Sequence, residues 1–129
     1  MLNLTVILSG DGGSDRFISL RMMSWVILVT AGLFEASFAF CLGKMKGASG
    51  TEYYLWGAGF LASLVLSMVL LARAAQTLPI GTAYPVWTGI GAVGTVVLGG
   101  LFLNEPMTVA RMVFITLLIV SIIGLKIAG

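Results

Sequence analysis

The chain has no histidine, a single cysteine and few charges: seven basic and five acidic residues make up 9% of its 129 positions. With Cys41 alone and no imidazole, an intrachain disulfide, a Cys/His metal site and histidine acid–base chemistry are all excluded. The formal charge of +2 is small and its residues are scattered, so no nucleic-acid surface is implied. Proline is scarce as well: Pro79 stands at the head of the third long apolar run, and Pro106 falls between the third and the fourth.

What remains is strongly apolar, with 59% hydrophobic residues, far from the composition of a soluble domain. The pattern predicts an all-α membrane protein of four transmembrane helices, at about 25–42, 53–72, 78–103 and 107–127. A β-barrel is a poor rival, because barrel strands alternate apolar and polar residues whereas these runs are continuously apolar. Residues 1–21 differ from the rest. Gly10, Asp11, Gly12, Gly13, Ser14, Asp15 and Arg16 form a polar, glycine-rich patch, read as part of a disordered N-terminal extension to the four-helix membrane segment 22–129. A secretory signal is not expected, since the run Leu2–Leu8 is short and lacks a basic start. Met22 and Met23 stand directly before the first span and offer an alternative start.

Short links between the spans predict an up-down bundle. Orientation normally follows the excess of Lys and Arg in cytoplasmic loops. Here Arg16, Arg21, Arg73 and Lys126 lie on the side of the N-terminus, and Lys44, Lys46 and Arg111 on the other. Starting at Met22 would reverse that narrow bias. Insertion both ways up is the expectation, with a fixed topology set by other factors as its rival. Four helices are few to enclose a pathway, so self-association is expected. Gly59, Ser63 and Ser67 on the second span, and Ser121 and Gly124 on the fourth, are small residues where helices could approach.

Glu35 is the only carboxylate inside any span. A charged residue at mid-bilayer costs about 2.5–3.5 kcal/mol, while each Leu, Ile, Val or Phe returns roughly 0.3–0.6. The first span can carry that cost, but the carboxylate needs a reason. Helical phase places Leu28, Ala31, Gly32, Glu35, Phe38, Ala39 and Leu42 on one face. Ala31 and Gly32 leave room for a ligand or a helix, and Phe38 can wall it. A structural carboxylate capped by a neighbouring hydroxyl is the alternative. The third span adds Tyr84, Trp87 and Thr88 on a shared face, suited to a cation through ring faces and hydroxyls. An interfacial aromatic belt is the plainer reading, but these residues lie well inside the run. Pro85, Gly89 and Gly91 weaken the helix and favour a bend.

From Met23 to Lys126 the chain resembles the small multidrug resistance family of four-helix antiporters. The likeness rests on Trp25, Ala31-Gly32-Leu33-Phe34-Glu35, Leu78-Pro79-Ile80-Gly81-Thr82-Ala83-Tyr84, Val86-Trp87-Thr88-Gly89-Ile90-Gly91-Ala92, Asn104-Glu105-Pro106 and Ile123-Gly124-Leu125-Lys126. The Trp-Thr-Gly-Ile-Gly-Ala string is most similar to the guanidinium-exporter branch. The resemblance implies an antiparallel, dual-topology dimer with a site at mid-membrane. By position, Glu35 would bind proton and substrate in turn, Gly32 would shape the site, Ser67 would hydrogen-bond the glutamate, and Tyr84 and Trp87 would line the pocket. Gly89 and Gly91 would fall at a helix kink, and the fourth helix would form the dimer contact. Two positions depart from the branch: Phe38 replaces a tryptophan and lacks its indole donor, and Pro85 replaces an alanine.

The expected function is proton-coupled export of guanidinium or guanidinyl cations at the plasma membrane. Its rivals are broader efflux of quaternary ammonium and other drug cations, and service as one subunit of a heterodimer of related chains. A homodimer in the lipid bilayer is the first expectation. No cofactor is implied. Enzyme chemistry is not expected, since the spans hold no carboxylate pair and no nucleophile elbow.

Overall fold

A computed structural model of the protein describes residues 13–128, which form four α-helices and no strand. α1 spans Gly13–Met45, α2 Thr51–Ala74, α3 Ile80–Phe102 and α4 Val109–Ala128. Each contains a stretch long and apolar enough to cross a membrane. Inside hydrocarbon the backbone polar groups have no water to bond, and a helix satisfies them within one segment. The hydroxyls follow the same logic. Thr30 Oγ1 donates to the Val26 carbonyl at 2.8 Å, Thr95 Oγ1 to Gly91 at 2.7 Å and Ser121 Oγ to Leu117 at 2.9 Å.

The last three helices agree with the expected spans to within two residues at each end. The first does not. Residues 13–21, expected to belong to a disordered extension, are helical and continuous with the first span, while residues 1–12 lie outside the described residues. The physical reason is that lengthening an existing helix is far cheaper than nucleating one. Asp15, in the first turn, also complements the positive end of the helix dipole.

The connections reverse direction with few residues. Gly47 and Gly50 adopt positive φ (87° and 64°) between α1 and α2, a conformation that side chains resist. Asn104 does the same between α3 and α4 (φ 55°), and the N–H groups of Leu103 and Glu105 both bond the Gly99 carbonyl. Pro79 stands immediately before α3, where its missing donor costs nothing.

α1 is the central helix, packing against α2 on one side and α3 on the other, and α4 packs against α3. The buried cluster comprises Leu28, Ala31, Leu71, Ala74, Leu78, Ala83, Val86 and Trp87. α1 and α3 approach closely through small residues. A Cβ built on Gly32 would lie 2.6 Å from Ile90 Cγ2, and one on Gly94 would lie 2.7 Å from Ala36 Cβ. α4 buries none of its residues in the single chain.

Candidate functional site

Glu35 lies where α1 crosses α3, with its carboxylate seated against the bare backbone of Gly91. Any Cβ at position 91 would collide with that carboxylate. The side chain is half-buried, and its Oε2 is buried with no hydrogen-bond partner among the described residues. An acceptor of this kind, buried and unsatisfied, costs about 1–3 kcal/mol or more when charged. Such an oxygen is satisfied by a proton on the carboxyl itself or by the N–H groups of a cation.

Beside it runs a buried hydrogen-bond relay across three helices. Trp87 Nε1 on α3 donates to Ser67 Oγ on α2 at 2.9 Å, and Ser67 Oγ donates to the Ala31 carbonyl on α1 at 2.7 Å. Ser67 is completely buried and Trp87 is 7% exposed. The single hydroxyl proton of Ser67 is thereby committed to Ala31. The bond from Ser67 to Glu35 that the resemblance implied is absent from this arrangement, because the serine faces the carbonyl one turn before the glutamate.

Aromatic rings flank this centre. Tyr84 and Trp87 stack at a tilt, ring centroids 5.4 Å apart, with Tyr84 more than half exposed. Phe38, one turn after Glu35, packs edge-to-face on Phe60 of α2 at 5.8 Å. Ser37 and Ser63 share a hydrogen bond at 3.3 Å on the same α1–α2 seam. The structure thus brings Gly32, Glu35, Ser67 and Trp87 together around the middle of α1. Tyr84 joins through its contact with Trp87, and Phe38 through the neighbouring α1–α2 wall.

Gly89 and Gly91 serve contacts: α3 runs through both without interruption, Gly91 under Glu35 and Gly89 against Ile122 of α4. Phe60 escaped the sequence reading, since nothing in its local pattern separates it from other lipid-facing aromatics. The Gly91–Gly94 pair, one turn apart, is the signal that could have revealed the close crossing. Among the described residues no three His, Cys, Asp or Glu side chains gather in a way that could hold a metal.

Comparison with known proteins fits this geometry. A family model described as Small Multidrug Resistance protein matches residues 23–118. A protein of Salmonella typhimurium named guanidinium exporter is 43% identical over 107 residues, covering 83% of this chain and 99% of that protein. One of the same name from Yersinia pseudotuberculosis is 45% identical, covering 83% of this chain and all of its own length. A third, from Citrobacter freundii, is 42% identical over 106 residues, covering 82% and 98%. Four apolar helices, a lone intramembrane carboxylate and matches spanning these relatives end to end lead to one assignment: the chain is a multi-pass membrane protein belonging to the Small Multidrug Resistance family.

Proposed function

We propose that the protein exports guanidinium or a related small guanidinyl cation across the plasma membrane in exchange for protons, working as an antiparallel pair of identical chains. The observation that carries this reading is the buried, unpartnered Oε2 of Glu35 within a membrane-spanning helix. A guanidinium ion presents planar N–H groups that can bond both oxygens of a carboxylate, and its diffuse charge is weakly hydrated. The names of the relatives support the choice of cation.

Coupling then needs one group. A carboxylate that has accepted a proton has lost its attraction for a cation, and one that holds a cation has no call for a proton. Proton and substrate therefore exclude each other at Glu35. Alternation of the site between the two membrane faces converts inward proton flow into outward cation flow. Two chains supply the walls that four helices alone do not enclose, and the unburied α4 leaves a surface for such association.

A second reading is favoured by one contact. Phe38 presents a ring held edge-on by Phe60 and offers no N–H, a wall suited to quaternary ammonium groups that use ring faces rather than hydrogen bonds. Transport by the purified chain in liposomes separates the readings. Proton-coupled flux of guanidinium is expected, and flux of quaternary ammonium without guanidinium would favour the second. Glu35→Gln keeps the size of the side chain but cannot exchange a proton, so coupled flux of either cation should vanish. Coupled flux surviving in that variant would overturn the mechanism.

A further inference from the structure

The α1–α2 connection holds an open recess of about 710 Å³, lined by Lys44, Lys46, Gly47, Ala48, Glu52 and Trp56 together with Leu55. Its volume is within the roughly 300–1,000 Å³ usual for small-molecule sites. It lies at the far end of α1 from the Tyr84 and Trp25 end of the molecule, and none of its residues touches the Glu35 centre. Its charges are of both signs. Two lysines and a glutamate line one hollow, and neither lysine forms a salt bridge with Glu52 within 4 Å.

Trp56 is the aromatic residue of the lining, and further rings pack around it. Lys44 Nζ lies 5.7 Å above the centre of the Phe40 ring, and Phe40 packs edge-to-face on Trp56 at 5.9 Å. Tyr53 and Tyr54 pack on each other next to it, ring centroids 5.6 Å apart, and both are exposed. Amphipathic rings of this kind concentrate where hydrocarbon meets headgroups. The residues following Met45, where α1 ends, and preceding Thr51, where α2 begins, therefore lie at headgroup depth.

We propose that this recess binds the headgroup of a phospholipid carrying a primary ammonium group, as in phosphatidylethanolamine. Lys44 and Lys46 supply donors to the phosphate, Glu52 accepts from the ammonium, and Trp56 with Leu55 contacts the upper acyl chain. The pairing of charges decides the lipid. An anionic headgroup without an amine would leave Glu52 facing negative charge, and a trimethylated amine would offer Glu52 no N–H donor.

Native mass spectrometry of the full-length protein in detergent tests the site, with phosphatidylethanolamine, phosphatidylcholine and phosphatidylglycerol of matched acyl chains as probes. The wild type should retain phosphatidylethanolamine about tenfold better than phosphatidylcholine, the factor that about 1.4 kcal/mol represents and the size of one charge-assisted contact. Glu52→Gln should remove that preference, and the double change Lys44→Gln with Lys46→Gln should lower retention of all three lipids. Guanidinium flux should persist in Glu52→Gln, because the recess is remote from Glu35 and that change leaves the Lys and Arg count unaltered. Equal retention of the three lipids by the wild type, a preference for phosphatidylglycerol, or a preference unaltered by Glu52→Gln would each overturn the proposal.

Discussion

Two positions hold the centre together, and each can be tested by one atom's worth of change. Ser67 is acceptor for Trp87 and donor to Ala31. Ser67→Ala leaves the indole N–H buried without an acceptor, a loss of about 1–3 kcal/mol. Unfolding of the purified protein in mixed detergent should report destabilisation of that size, and an unchanged unfolding midpoint would contradict the relay. Gly91 makes the opposite case. Alanine there raises helix propensity by about 1 kcal/mol, yet its Cβ would occupy the place of the Glu35 carboxylate. Gly91→Ala should therefore keep the helix content measured by circular dichroism while lowering guanidinium flux by at least about tenfold, since small misplacements at a reacting group carry costs of that order. Full flux would show that Glu35 does not need its seat.

At the scale of the helices, α3 and α4 approach closely at a glycine. A Cβ on Gly89 would stand 2.7 Å from Ile122 Cδ1, and position 122 is the part of the contact able to give way. Gly89→Ala should weaken the α3–α4 contact by about 1–3 kcal/mol. Combining it with Ile122→Ala should cost less than the two changes separately, a coupling that a double-mutant cycle in detergent unfolding reads directly. Additive losses would mean that the two residues do not share the contact. The helices themselves were legible in the sequence because length and continuous apolarity suffice to find a span. Residues 13–21 were misread because glycine and charge in the sequence mark a loop, while the structure shows that they extend a helix already nucleated downstream. Helical phase placed Glu35 on one face with Leu28, Ala31 and Gly32, but phase names no neighbour. It could not show that the carboxylate rests on Gly91, that Ser67 turns to Ala31, or that Phe60 holds Phe38, since each depends on how two helices cross.

For the whole molecule, the open matter is which way up it sits, and the bundle gives the charge rule a definite form. Arg16, Arg21, Arg73 and Lys126 lie at one end of the four helices, Lys44, Lys46 and Arg111 at the other. Four positive residues against three give little orienting force, which is the condition for one chain to supply both halves of an antiparallel pair. A fixed orientation should then abolish activity without touching the site. Gln76 and Thr77 are exposed in the α2–α3 connection, at the four-charge end, and replacing both with lysine makes the count six against three. Ser49 and Thr51 are exposed at the other end, and lysines there combined with Arg16→Gln and Arg73→Gln make it two against five. C-terminal reporters should show the wild type in both orientations and each variant mostly in one. Either variant expressed alone should lose most of its guanidinium flux, and the two expressed together should recover it, because only the mixture contains chains of opposite orientation. Full flux from a variant shown by its reporter to have a single orientation would rule out the antiparallel pair, while leaving the assignment of Glu35 as the shared proton and cation site intact.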